Sequence, residues 1–209
     1  MSYKQKIVIV DYGVGNTFSI SNAISFLGYA KTKISDKEGI ISEADVLILP
    51  GVGAFDEAVK NLRTRNLDNI LNEQVIVRKK PILGICVGMQ LMADGSEENG
   101  WHDGLNWIPG KVIKLQLPNL FAVPHVGWNN IKFIKNKPLF TRNNHDCHFY
   151  FDHSYWFDCD EKFISAWTDY GIKINAAVQR DNIFGVQFHP EKSQTSGLKL
   201  FRAFFNSIS

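Results

Sequence analysis

The stretch "PILGICVGMQ", residues 81–90, decides how this chain folds. An apolar run of strand composition enters Cys86, with Gly84 two residues before it and Gly88 two after it. A strand that bends at once into a helix needs small residues at the bend, because Cβ atoms there would collide. The pattern Gly-x-Cys-x-Gly therefore has the form of a nucleophile elbow, which lifts one side chain above a sheet. It predicts a helix starting near Gly88, with the Cys86 sulfur at its N-terminus, where the macrodipole favours thiolate. The Val87 N–H then points toward charge developing on a substrate oxygen. Taken alone, the stretch is explained as well by an inert cysteine in a βα unit.

Working outward, "KIVIVDYG" (6–13) reads as a buried strand ending in a turn, and "NTFSISNAISFLG" (16–28) has helical apolar spacing with Gly28 as its stop. "YAKTKIS" and "DVLILPG" are further strands, and "AFDEAVKNLRTR" and "LDNILNEQVIVRKK" are helices. This alternation implies an α/β three-layer sandwich around a mostly parallel sheet. Beyond about residue 100 the texture changes to short β-rich runs, among them "GKVIKLQL", "NNIKFI", "HFYFDHSYWF" and "IFGVQFH". They predict antiparallel hairpins added to the sheet, and "SGLKLFRAFFNSI" closes the chain as an amphipathic helix. No linker interrupts the pattern, so residues 1–209 are expected to form a single domain.

The 209 residues are 44% hydrophobic and 21% charged, ordinary values for a soluble globular protein. The formal charge of +2 comes from scattered basic residues and offers no stripe for nucleic acid. The apolar run before Asp11 is too short for a signal peptide or a membrane span. Three cysteines without paired spacing argue against a disulfide framework and against a zinc site. A cytoplasmic location is the expectation.

Two segments compete as sites. In "DYGVGNTFS" a Gly-x-Gly turn lies between strand and helix, and Asp36 follows near where a ribose-binding acid belongs in a dinucleotide fold. Phe18 stands where the third glycine is needed for close helix packing, so an unliganded βα turn explains the segment as well. "GVQFHPEKS" (185–193) sets His189 and Glu191 two residues apart at the end of an apolar strand. In extended chain both side chains point the same way, so the carboxylate can orient the imidazole, which can take a proton from the Cys86 thiol. The order Cys, His, Glu differs from that of α/β hydrolases.

The ordered motifs "DYGVGN", "LPGVGAFDEA", "PILGICVGMQLM", "VPHVGWN", "HSY" and "GVQFHPEKS" resemble the class I glutamine amidotransferases. Within them they are most similar to the glutaminase subunits of imidazole glycerol phosphate synthase, and the resemblance runs from residue 7 to residue 206. It implies a Cys86–His189–Glu191 triad that hydrolyses glutamine through a γ-glutamyl thioester. Cys86 attacks while His189 takes its proton and then protonates departing ammonia, and Glu191 holds the imidazole. The resemblance also implies that "PGVG" (50–53) supplies a second oxyanion donor beside Val87, the Val52 N–H, in some relatives only after a peptide flip. Gly53, Gln90, Glu98, Ser154 and Tyr155 match glutamine contacts.

The implied partner is a separate chain, a (β/α)8-barrel cyclase that receives the ammonia in a heterodimer. Asn16, Trp128 and Lys192 match positions at or near that interface, although Trp128 also suits a core. The resemblance implies no metal and no organic cofactor. Paralogues that feed ammonia to sugar amidation in surface-glycan pathways are the alternative. Asp152 before "HSY", "GLNW" (104–107) and "MADGS" depart from the usual pattern without touching the triad.

Overall fold

The computed structural model describes residues 5–134, 139–140 and 147–208. The first half builds β1 (Ile7–Val10), α1 (Thr17–Phe26), β2 (Thr32–Ser35), α2 (Glu38–Ser42), β3 (Val46–Leu49), α3 (Phe55–Thr64), α4 (Leu67–Asn72), β4 (Ile82–Ile85) and α5 (Val87–Gln90). Two-residue strands β5 (Gly95–Ser96) and β6 (His102–Asp103) follow. Then come β7 (Gly110–Lys114), β8 (His125–Asn130), β9 (Lys132–Phe133), β10 (His148–His153) and β11 (Tyr155–Cys159). The chain ends with β12 (Ile164–Asp169), β13 (Lys173–Arg180), β14 (Ile183–Val186) and α6 (Gln194–Ser207).

The central sheet has the order β2-β1-β3-β4-β14-β13-β12-β9. The first five strands are parallel and the last three antiparallel. Every residue of β1, β3, β4 and β14 is buried. That is why these segments are unbroken Val/Ile/Leu-rich runs rather than alternating ones: helices cover a parallel sheet on both faces. α1 packs against α6, and α3 against α4 and α5. Phe201, Phe204 and Phe205 of α6 are fully buried, and Phe184 of β14 meets Phe204 edge-on, their centroids 5.3 Å apart.

The predicted architecture is present, with three local differences. Of the later β-rich runs, β14 joins the main sheet parallel to β4, and β13, β12 and β9 extend it antiparallel; the remaining ones form a β10-β8 pair and a four-stranded β11-β7-β5-β6 sheet. The aromatic run "HFYFDHSYWF" is divided at Ser154, β10 pairing with β8 and β11 with β7. Local alternation cannot show this break, because the partners that impose it are distant in sequence. The segment "LDNILNEQVIVRKK" is α4 followed by a π-helical turn over Glu73–Val77, and the short α2 carries too little periodicity to be read.

The "DYGVGN" turn is closed by protein groups rather than open to a phosphate. A Cβ on Gly15 (φ +118°) would lie 3.0 Å from the Pro50 side chain, and one on Gly13 2.9 Å from the Arg65 guanidinium. Arg65 also pairs with Asp36 at 3.4 Å, occupying the acid that a ribose would need. The buried Tyr12 hydroxyl donates to the Pro50 carbonyl, so this turn buttresses the "PGVG" segment.

Candidate active site

β4 and β14 are parallel neighbours in register Ile85 to Val186, so the residues that follow them emerge side by side. Cys86 follows β4, and its N–H donates to the Val186 carbonyl at 2.8 Å. Its backbone sits at φ +54°, ψ −112°, a costly conformation for a residue with a Cβ and one found at displayed functional residues. Neighbouring glycines make the bend possible. A Cβ on Gly88 would fall 1.9 Å from the Leu49 carbonyl oxygen, and one on Gly84 2.5 Å from the Gly88 oxygen.

The helix after the bend begins at Val87, beside the expected start near Gly88, and is a single turn. So short a helix carries little macrodipole. What it offers instead is free N–H groups of the first turn, that of Val87 first among them. The Leu91 N–H still makes an α-helical bond to the Val87 carbonyl at 2.8 Å, and the helix ends because Met92 and Ala93 bond only three residues back, to the Met89 and Gln90 carbonyls.

His189 follows β14. Its N–H donates to the Tyr150 carbonyl at 2.8 Å, and its own carbonyl accepts the Ser193 hydroxyl at 2.6 Å. His189 Nδ1 lies 2.9 Å from Glu191 Oε1, and both side chains are buried. The expected extended His-x-Glu geometry is corrected here: Pro190–Lys192 is a 3₁₀ turn, favoured by the fixed φ of Pro190. The turn, rather than strand alternation, brings the carboxylate to the ring. Asn16 Nδ2 donates to the same Glu191 oxygen at 3.4 Å.

Nδ1 being committed to Glu191, the hydrogen bond between His189 and Cys86 falls to Nε2. Burial pushes the imidazole down, but attraction to the Cys86 sulfur and hydrogen bonds with Cys86 and Glu191 outweigh it and raise the ring to about 10. His189 is therefore protonated at neutral pH. Since the folded value lies above the ordinary 6.5, its stabilising contribution is complete below pH 6.5 and is lost as pH rises through about 10. Replacing Cys86 with alanine removes two of the raising influences and keeps the burial. The His189 titration, followed by imidazole NMR, is expected to move to lower pH, and an unchanged midpoint would break the link between ring and sulfur.

A single cavity gathers Val52, Gly53, Cys86, Val87, Gln90, Glu98, Ser154, Tyr155 and His189, with Pro124, Asp152 and His153 completing its wall. Gln90 Nε2 donates to the Tyr155 carbonyl at 2.9 Å and to Gln187 Oε1 at 3.1 Å. Both amide hydrogens are thereby used, which leaves Gln90 an acceptor oxygen for a ligand. Glu98 Oε2 accepts the Phe55 N–H at 2.9 Å at the start of α3, so this carboxylate caps a helix as well as lining the cavity. Gly51 is locked against the elbow, where a Cβ would lie 2.6 Å from the Gly88 nitrogen. Val52 is 37% exposed and a Cβ on Gly53 would meet nothing within 4 Å, so the "PGVG" segment has open space around it beyond Gly51.

Asn16, Trp128 and Lys192 lie outside the cavity at the same corner. Trp128 is half-exposed, not core, and meets Tyr150 edge-on at 6.2 Å, while Lys192 Nζ lies 5.3 Å from the Tyr150 ring centre. Among the described residues no cluster of three or more His, Cys, Asp or Glu could hold a metal ion, and no helix is long and apolar enough to cross a membrane.

The family described as Glutamine amidotransferase class-I matches residues 8–208. The chain belongs to that family. Among curated relatives of this amidotransferase, "Imidazole glycerol phosphate synthase subunit HisH 2" of Vibrio vulnificus (strain YJ016) is 50% identical over 203 residues, covering 97% of this chain and 95% of the relative. The HisH 2 protein of Methanococcus maripaludis is 48% identical over 200 residues, 95% of this chain and 98% of the relative. Among solved structures, the PurLQS structure from Thermotoga maritima aligns with a TM-score of 0.72 at 16% identity, over 99% of this chain and 100% of the other. At that identity the likeness speaks for the fold.

Three residues of the amidotransferase site were not singled out from sequence. Gln187 is fully buried and its Nε2 lies 3.7 Å from the Cys86 sulfur. His153 lines the cavity, and Tyr12 stands close enough to Cys86 for the sulfur's charge to add to the burial that pushes its hydroxyl up. All three sit inside the quoted motifs, but nothing in their spacing separates them from core residues.

Proposed function

We propose that this chain is the glutaminase subunit of an imidazole glycerol phosphate synthase, acting in histidine biosynthesis and passing ammonia to a (β/α)8-barrel cyclase. The observation that carries the reading is the strained Cys86 beside a buried His189–Glu191 pair held at 2.9 Å. Extensive identity to HisH subunits supports the pathway, and no observation favours sugar amidation.

His189 is already charged before substrate arrives, so the first step needs less than the expected proton abstraction. The Cys86 sulfur attacks the glutamine side-chain carbonyl and forms a C–S bond, and the Val87 N–H faces the resulting oxyanion. The imidazolium gives its proton to the amide nitrogen, the C–N bond breaks and ammonia leaves. The neutral ring then takes a proton from water as the hydroxide attacks the thioester, which releases glutamate and restores the pair. Glu191 keeps the ring oriented throughout, and the Gln187 N–H supports negative charge on sulfur. Gln90, Glu98 and the Ser154–Tyr155 backbone seat the amino-acid end of glutamine. Asn16, Trp128 and Lys192 belong to the face that meets the cyclase.

Reconstitution tests the reading: the chain is mixed with a barrel cyclase, its nucleotide substrate and glutamine labelled with ¹⁵N at the amide. Label in the imidazole product is the expected result. A product without label, or failure of the two chains to associate, would overturn it. The exposed Val52 segment leads to a further expectation. Without the partner, glutamine hydrolysis by the isolated chain should be slower by about 10²-fold, the cost of one absent oxyanion donor. Equal rates in the free and bound states would show that no rearrangement of "PGVG" is needed.

A further inference from the structure

Behind the glutamine seat lies a chain of polar groups that the mechanism above does not use. His153 Nδ1 lies 2.9 Å from the Tyr155 carbonyl, the same oxygen that accepts from Gln90. A carbonyl only accepts, so the His153 proton is on Nδ1 and its Nε2 is an acceptor. That Nε2 lies 3.0 Å from His125 Nδ1, which must therefore carry the proton of its own ring. His125 Nε2 in turn lies 3.3 Å from Asn129 Nδ2, a donor that also reaches the Asp169 carbonyl at 2.9 Å. The direction of each bond follows from the one before it, and the series closes only if both imidazoles are neutral.

The surroundings enforce that state. His125 is 2% and His153 6% exposed. His125 is stacked between Phe151 and Tyr170, with centroid distances of 4.7 and 3.9 Å. Burial pushes His125 down to about 4. It also pushes His153 down to about 3, where the hydrogen bond to Tyr155 opposes it and charge on His125 and His189 adds to it. The chain begins on β8, whose neighbouring Trp128 is on the exposed corner, and ends at the oxygen that fixes Gln90.

We infer that His125 and His153 are positioning residues for glutamine, a neutral relay that anchors the Tyr155 carbonyl and the Gln90 amide to strand β8. The inference rests on the glutaminase reading above. It assigns no proton transfer to either ring; they act through the seat they hold.

The test uses the assembled complex with the cyclase. His125→Phe keeps the stacked shape and removes both hydrogen bonds, whereas His125→Gln offers a donor and an acceptor in its place. For His125→Phe the glutamine KM is expected to rise by about fivefold or more, the effect of one lost buried hydrogen bond, with kcat little changed. Synthesis from added ammonia should stay at the wild-type rate, and His125→Gln should recover most of the KM. A wild-type KM in His125→Phe, or an equal loss with glutamine and with ammonia, would overturn the inference. A second measurement does not depend on any variant folding: imidazole ¹⁵N NMR of the wild-type complex should show both rings neutral, with their protons on Nδ1. A proton on Nε2 of either neutral ring would also sink it. Failure of the glutaminase reading itself would look different, because wild-type complex would then make no product from glutamine.

Discussion

In the assembled complex, Cys86→Ala is expected to lower glutamine-dependent synthesis by at least about 10⁴-fold while ammonia-dependent synthesis continues, because removing a nucleophile eliminates the covalent route and not the acceptor chemistry. The substitution is also tolerable for the fold. Cys86 is buried beside Gln187 and His189, and alanine there removes one sulfur atom without adding volume. Alanine retains a Cβ at φ +54°, so the backbone strain is unchanged. Steady-state rates with glutamine and with ammonium salts, measured on the same preparation, separate the two activities. Glutamine turnover near the wild-type rate would remove Cys86 from the chemistry.

Gly88→Ala should be nearly as damaging, by a different route. The added methyl would sit 1.9 Å from the Leu49 carbonyl oxygen and 3.1 Å from that of Pro50, both backbone atoms at the end of β3. Neither can rotate away, so the elbow must move off β3. The expected cost is about 3 kcal/mol, at the upper end for an overpacked core. For a chain of this size that corresponds to a melting temperature lower by about 6–12 °C. Because the same movement displaces the Val87 N–H and Cys86, glutamine-dependent synthesis should fall further than the loss of folded protein explains. Thermal denaturation together with kinetics at a temperature where the variant is folded checks both parts. A variant with wild-type stability would mean that the contact between elbow and β3 is looser than the structure shows.

The two substitutions also mark where sequence reading was strong. "PILGICVGMQ" exposed the elbow because its requirement is local: two glycines and one cysteine at fixed spacing describe a bend that few other residues can make. The parallel sheet was visible for a similar reason, since strands buried on both faces read as continuous apolar runs. His189 and Glu191 were found together, but for a reason that needed correction, because a 3₁₀ turn at Pro190 and not an extended strand joins them. The extent of the elbow helix is not legible in the sequence, since one turn is too short to carry a period.

Gln187 and the His125–His153 relay were out of reach. Their roles depend on bonds between residues 101, 28 and 4 positions apart in sequence, to a sulfur, a second ring and an asparagine. A buried glutamine beside a phenylalanine in "GVQFHP" looks the same whether it serves a nucleophile or a core carbonyl. The break at Ser154 was hidden likewise, because β8 and β7 choose different halves of one alternating run.

By itself, then, the order of residues determined the element types, the bend at Cys86 and the chemical groups available for the reaction. These depend on steric limits and periodicities that act over a few residues. Only the tertiary structure decided which groups meet: β4 beside β14, Glu191 turned onto His189, and two neutral imidazoles in line behind the seat. Distance and burial set proton positions and pKa values, and neither quantity exists until the chain has packed.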